Sequence, residues 1–104
     1  MPAGLYLLLA ILFEVAGTTS MKLSYGFTHL IPSIFIAVFY VIAFIFLTLS
    51  LKRLEVSLAY AIWSGLGTLL IAAIGILVFH ESATLLKMVS LIFIVVGVVG
   101  LQLC

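Results

Sequence analysis

The chain has 104 residues, of which 67% are hydrophobic and only 7% are charged, and its formal net charge is +1. A soluble domain is about 25% charged, and a fold this small could not bury so much apolar surface in water. Composition therefore excludes an ordinary soluble domain, and the near-neutral charge offers no basic surface for nucleic acid. We expect an integral membrane protein that lies in a lipid bilayer.

Charges and turn residues divide the chain into four apolar runs of 18 to 23 residues. A helix of about 20 residues crosses a bilayer core, and the runs lack the alternating polarity of β-barrel strands. Lipid offers no hydrogen-bond partners to backbone polar groups. We therefore predict that each run is a helix, in which these groups bond to one another. The sequence predicts one all-α transmembrane domain over residues 1–104, with spans at 4–21, 33–51, 57–79 and 86–103.

The first run contains Glu14, the only acid well inside any span. A carboxylate in hydrocarbon costs about 3 kcal/mol and tends to mark an ion or substrate path. Its helical face carries Ala10, Gly17, Thr18 and Met21, mostly small residues that let a ligand or helix approach. Desolvation without a basic partner favours the neutral acid, so an arriving cation could displace the proton. The alternative is that Glu14 is protonated and has a structural role, with a hydrogen bond to a neighbouring helix.

The second and third runs carry aromatic residues away from their ends. Tyr40 lies in the middle of the second run, and its hydroxyl needs a partner, either Glu14 or a backbone carbonyl. Tyr60 and Trp63 share a face of the third run. They lie either at the membrane interface, where such residues are common, or on an aromatic surface that binds organic cations. Gly65 and Gly67 follow, and we expect them to act as a conformational hinge.

The fourth run has no charge beyond Lys87 near its start. Ser90 and Gly97 are two helical turns apart on one face, so we assign this helix to dimerisation. His29, His80 and Cys104 lack the spacing of metal ligands, and a single cysteine cannot form an intramolecular disulfide. We therefore expect no metal and no cofactor, and the short loops leave no room for an enzyme site.

Charge does not orient the chain in the membrane. With four spans, Lys52 and Arg53 lie on one side, while Lys22 and Lys87 lie on the other. The positive-inside rule acts through an excess of Lys and Arg, and two against two is no excess. The chain either inserts in both orientations or is oriented by other features. Dual insertion would allow two copies to pair antiparallel, with the symmetry of inverted-repeat transporters.

Three segments carry a resemblance to a known family. They are EVAGTTSMK around Glu14, SYGFTHLIPS from Ser24 to Ser33, and AYAIWSGLG in the third run. Together they make the whole chain resemble the small multidrug resistance transporters of the drug/metabolite transporter superfamily.

The resemblance implies an antiparallel homodimer in a bacterial inner (plasma) membrane that exports cytoplasmic cations in exchange for protons. It implies that Glu14 of each subunit binds proton and substrate in turn. It also implies that Tyr60 and Trp63 line the binding chamber and that Tyr40 faces it. Together with the helix 1 face, the expected substrate-binding residues are Ala10, Gly17, Thr18, Tyr40, Tyr60 and Trp63.

Two branches of the family remain open. Gly17 and Thr18 are similar to the branch that exports quaternary ammonium and lipophilic aromatic cations. A small residue at Gly17 would enlarge the chamber, and Ala43 would remove a hydrogen-bond partner, so we expect bulky cations. The alternatives are a guanidinium exporter with the same fold and a non-transporting structural membrane subunit.

Overall fold

A computed structural model describes residues 2–103, so Cys104 lies outside the described residues. These residues form four α-helices and no strand, and each helix is long and apolar enough to cross a membrane. The predicted all-α membrane fold is confirmed. In chain order the helices are α1 (Ala3–Leu23), α2 (Leu30–Ser50), α3 (Val56–Leu77) and α4 (Leu85–Gln102).

The helix ends differ from the predicted spans by up to three residues, for local reasons. Helix α2 begins at Leu30 rather than at residue 33, because Pro32 falls in the first turn, where no intrahelical N–H bond is lost. Helix α3 ends at Leu77, two residues before the predicted limit. Helix α4 begins after Thr84, whose hydroxyl oxygen accepts from the Lys87 N–H at 3.2 Å.

The turn between α1 and α2 is organised by Ser24, which is only 2% exposed. Its hydroxyl donates to the Met21 carbonyl at 2.8 Å and accepts from the Phe27 N–H at 3.2 Å. Its carbonyl accepts from the Thr28 N–H at 2.9 Å. These bonds hold a left-handed stretch in which φ is 47° at Tyr25 and 67° at Phe27. The tight reversal brings α1 and α2 side by side.

Helix α1 is the centre of the subunit, and it packs against both α2 and α3. Its buried side chains form a small core with Ala59 of α3, comprising Leu7, Ile11 and Val15. Helix α4 packs mainly on α3 and has no buried residue. The Cα atoms span 43 × 35 × 17 Å. One chain is therefore a thin layer of helices whose broad apolar faces need lipid or another protein to cover them.

Candidate functional site

A cavity of about 360 Å³ lies between α1 and α3. Helix α1 contributes Glu14 and Thr18, which are one turn apart on the same face. Helix α3 contributes a longer stripe consisting of Tyr60, Trp63, Ser64, Gly67, Thr68 and Ile71. Glu14 is the one carboxylate of this lining among the described residues. We call this space the Glu14 cavity.

The Glu14 carboxylate has a distinct neighbour for each of its oxygens. Oε1 accepts a hydrogen bond from the Thr18 hydroxyl at 2.8 Å. Oε2 lies against Gly67, where a Cβ would be only 3.2 Å away. Gly67 therefore gives the carboxylate space that any side chain would narrow. Within residues 2–103 no basic side chain pairs with Glu14, so the carboxyl group faces the cavity without an ion-pair partner.

Thr18 also connects the carboxylate to α2. Its oxygen lies 2.6 Å from the Tyr40 hydroxyl, and either oxygen could be the donor by distance alone. Since the single Thr18 hydrogen is directed to Glu14, Tyr40 is the donor in this pair, and the Tyr40 hydroxyl also lies 3.8 Å from Met21 Sδ. The result is a chain from Tyr40 through Thr18 to Glu14. The partner that the sequence left open for Tyr40 is therefore neither Glu14 itself nor a backbone carbonyl, but the hydroxyl between them.

Three of the expected binding residues, Ala10, Gly17 and Tyr40, lie outside the cavity lining. Ala10 is fully buried. A Cβ at Gly17 would meet the Tyr40 ring at 3.1 Å and Cβ of Phe39 at 3.4 Å. The absence of a side chain at Gly17 thus makes room for Tyr40, rather than enlarging the cavity within this chain as predicted. Its effect on the site is indirect, because it lets Tyr40 approach Thr18.

The aromatic residues form a connected series from α2 to α3. The Tyr60 and Trp63 rings meet edge to face with centroids 5.5 Å apart, and Phe44 meets Trp63 at 5.9 Å. Phe44 in turn stacks on Tyr40 at 6.1 Å. The Trp63 Nε1 atom is buried and has no hydrogen-bond partner among the described residues. The site therefore combines a carboxylate with aromatic faces and a buried indole N–H.

Sequence reasoning missed several lining residues of α3. Ser64, Thr68 and Ile71 follow Tyr60 at intervals of four, four and three, which is the spacing of one helical face and was visible in the sequence. The hydroxyls of Ser64 and Thr68 donate to backbone carbonyls, from Ser64 to Tyr60 at 2.9 Å and from Thr68 to Ser64 at 2.7 Å. They offer acceptor oxygens to a ligand but no charge. Phe44 was missed because its position relative to Trp63 depends on how α2 packs.

The expected hinge and dimer residues have clear positions. A Cβ at Gly65 would be 2.7 Å from Val98 Cγ2, so this glycine permits the close contact of α3 with α4. Helix α3 runs without interruption through Gly65 and Gly67. Ser90 and Gly97 are exposed on α4, and a Cβ at Gly97 would meet nothing within 4 Å. The hinge and dimerisation roles remain predictions.

Comparison with known proteins agrees with these features. A family model described as Small Multidrug Resistance protein matches residues 3–94. The chain is 55% identical to the uncharacterized membrane protein YvaE of Bacillus subtilis, over 94% of this chain and 82% of that protein. It is 47% identical to the multidrug resistance protein EbrB of Bacillus subtilis, over 94% and 84% of the two chains. It is 45% identical to the quaternary ammonium compound-resistance protein QacE of Escherichia coli, over 99% and 94%. The chain therefore belongs to the small multidrug resistance family.

Proposed function

We propose that this protein is a proton-coupled antiporter that exports lipophilic and quaternary ammonium cations. The observation that carries the proposal is the Glu14 cavity, in which one unpaired carboxylate faces the aromatic residues Tyr60 and Trp63. The name of QacE, a quaternary ammonium compound-resistance protein, supports this substrate class. A volume of about 360 Å³ falls in the range of small-molecule sites.

The coupling follows from a single carboxylate with two competing ligands. Deprotonated Glu14 attracts an organic cation, and the aromatic faces of Tyr60 and Trp63 add cation–π attraction. Protonation removes the charge and releases the cation. Since proton and cation need the same group, they are exchanged rather than carried together. Alternating exposure of Glu14 to the two sides would then turn this exclusion into antiport.

The working unit in this proposal is an antiparallel homodimer in the bacterial inner membrane. Helix α4 has no buried residue in the single chain, so its apolar surface is free to pack against a second copy through Ser90 and Gly97. The balance of Lys52 and Arg53 against Lys22 and Lys87 is compatible with insertion in both orientations.

Transport by purified protein in liposomes tests the proposal. When the vesicle interior is more acidic than the bath, we expect protons to leave while tetraphenylphosphonium is taken up, and we expect only weak transport of guanidinium. Glu14→Gln should insert normally but lose gradient-driven transport. Glu55→Gln is the matched control, because Glu55 is the N-cap residue of α3 and does not line the cavity.

Each alternative has its own outcome in this assay. Faster transport of guanidinium than of tetraphenylphosphonium would identify the protein as a guanidinium exporter. If neither cation is transported and neither binding nor proton release is detected, the protein is a structural subunit. Gradient-driven transport that survives in Glu14→Gln would exclude the proposed coupling.

A further inference from the structure

A second, smaller cavity of about 100 Å³ continues from the Glu14 cavity toward the ends of α1 and α3. Thr18 and Ile71 line both cavities. The remaining lining of the second cavity consists of Thr19, Lys22, Ile74, Gly75, Phe79 and Glu81. We call it the end cavity. The end cavity therefore reaches Thr18, the residue whose hydroxyl donates to Glu14.

Glu81 is brought to this cavity by a reversal of the chain after α3. His80 has φ of 58°, and the Glu81 N–H donates to the Gly75 carbonyl at 2.9 Å. The Glu81 carboxylate then lies directly over Gly75, on a spot that any Cβ would occupy. Glu81 is nevertheless exposed at its outer side. Glu81 thus lines the cavity and is also exposed at the surface of the chain.

The polar groups of the end cavity suit water rather than a large ligand. Thr19 Oγ1 is buried and has no hydrogen-bond partner among residues 2–103. The ionisable groups near Glu81 are Lys22 in the same lining, the preceding His80, and Lys87, whose Nζ donates to the Ser82 carbonyl at 2.6 Å. Since liquid water occupies about 30 Å³ per molecule, the cavity has room for a few waters but not for an aromatic cation.

We propose that the end cavity is a water-filled proton route in which Glu81 collects protons for Glu14, an inference that rests on the proposed antiport. The Glu81 carboxylate takes a proton from bulk water and passes it to a cavity water. The Thr18 oxygen has two lone pairs and one hydrogen. It accepts from Tyr40 with one lone pair, receives a proton from water with the other, and gives its own hydrogen to Glu14 Oε1. Glu14 gains one proton, and Glu81 and Thr18 return to their starting states.

The two cavities would then separate the two ligands by size. An organic cation enters the wider Glu14 cavity, while the narrow end cavity admits only water and protons. Lys22 opposes entry of a cation by this route and partly offsets the negative charge of Glu81. The proton can therefore reach Glu14 while a departing cation still fills the space beside Tyr60 and Trp63.

Stopped-flow measurement of proton release tests this route in the purified full-length protein. A pH-sensitive dye reports release when tetraphenylphosphonium is added, and equilibrium titration gives its affinity. We expect Glu81→Gln to slow release about tenfold, since charge that lines a cleft changes the rate of ion arrival by a factor of about 10 or more. The affinity should change by no more than about twofold. Glu55→Gln, which removes the same charge far from the cavity, should match wild type.

A second variant leaves the carboxylate in the protein but moves it. Gly75→Ala places a Cβ where the Glu81 carboxylate lies, and the flexible end of that side chain can swing away without disturbing α3. Slower proton release in Gly75→Ala, in the same direction as in Glu81→Gln, would support the route. Wild-type rates in either variant would overturn it.

Two further outcomes distinguish this inference from the function on which it rests. A large loss of tetraphenylphosphonium affinity in Glu81→Gln would show that Glu81 binds the cation, and the proton route would be wrong. No proton release from the wild-type protein would overturn the antiport proposal and the route together. Normal wild-type release with unchanged rates in Glu81→Gln would overturn the route alone.

Discussion

Replacing Thr18 with valine removes the hydroxyl at the centre of the site and keeps its shape. The substitution deletes the 2.8 Å bond to Glu14 Oε1 and the 2.6 Å contact with Tyr40. A hydrogen bond to a charged group contributes about 1.5–3 kcal/mol. The bond stabilises the charged carboxylate with or without a cation, so its loss makes the proton a stronger competitor. We expect the apparent affinity for tetraphenylphosphonium to fall about 10- to 100-fold wherever the proton competes.

Equilibrium binding of tetraphenylphosphonium over a series of pH values measures this effect. The loss should shrink at high pH, where no proton competes for Glu14. Thr68→Val is the matched control, since it removes the same group from the same cavity but deletes only a 2.7 Å bond to the Ser64 carbonyl. The loss of affinity in Tyr40→Phe should lie between those of the two threonine variants, at about fivefold, because this substitution removes one neutral hydrogen bond of about 1 kcal/mol.

Two results would refute this reasoning. Equal losses in Thr18→Val and Thr68→Val would mean that the bond to Glu14 has no special role. A loss in Thr18→Val that persists at high pH would mean that the hydroxyl contacts the cation itself rather than supporting the carboxylate.

Three further predictions concern helix packing, the aromatic residues of the Glu14 cavity and the turn between α1 and α2. Gly65→Ala should lower the free energy of unfolding by about 1–3 kcal/mol in denaturant titrations, because its Cβ would be 2.7 Å from Val98 Cγ2. Gly97→Ala is the control, since its Cβ would meet nothing within 4 Å, and it should alter only dimer formation. Equal losses of unfolding free energy in the two variants would contradict this prediction. Tyr60→Leu should weaken tetraphenylphosphonium binding by about 0.5–2 kcal/mol in isothermal titration, and unchanged affinity would remove the ring from the site. Ser24→Ala should destabilise the chain by about 1–3 kcal/mol in the same titrations, since the turn loses its buried hydroxyl, whereas a neutral effect would show that backbone bonds suffice.

The sequence by itself determined the fold class and the central residue of the site. Runs of 18 to 23 apolar residues can satisfy their backbone groups in lipid only as helices, so four helices follow from length and composition. Glu14 stood out because it is alone in its span. Its bond to Thr18 could also be predicted from the sequence, since residues four apart meet on one helical face.

Only the tertiary structure decided which helix faces meet. Gly17 and Thr18 are neighbours on α1, yet Gly17 accommodates the Tyr40 ring while Thr18 reaches the cavity. Likewise, Gly67 faces Glu14 and Gly75 lies beneath Glu81. Helical periodicity predicts which residues share a face, but the rotation and separation of packed helices depend on all the side chains between them. For this reason the glycines could be found in the sequence, whereas the groups that they accommodate could not.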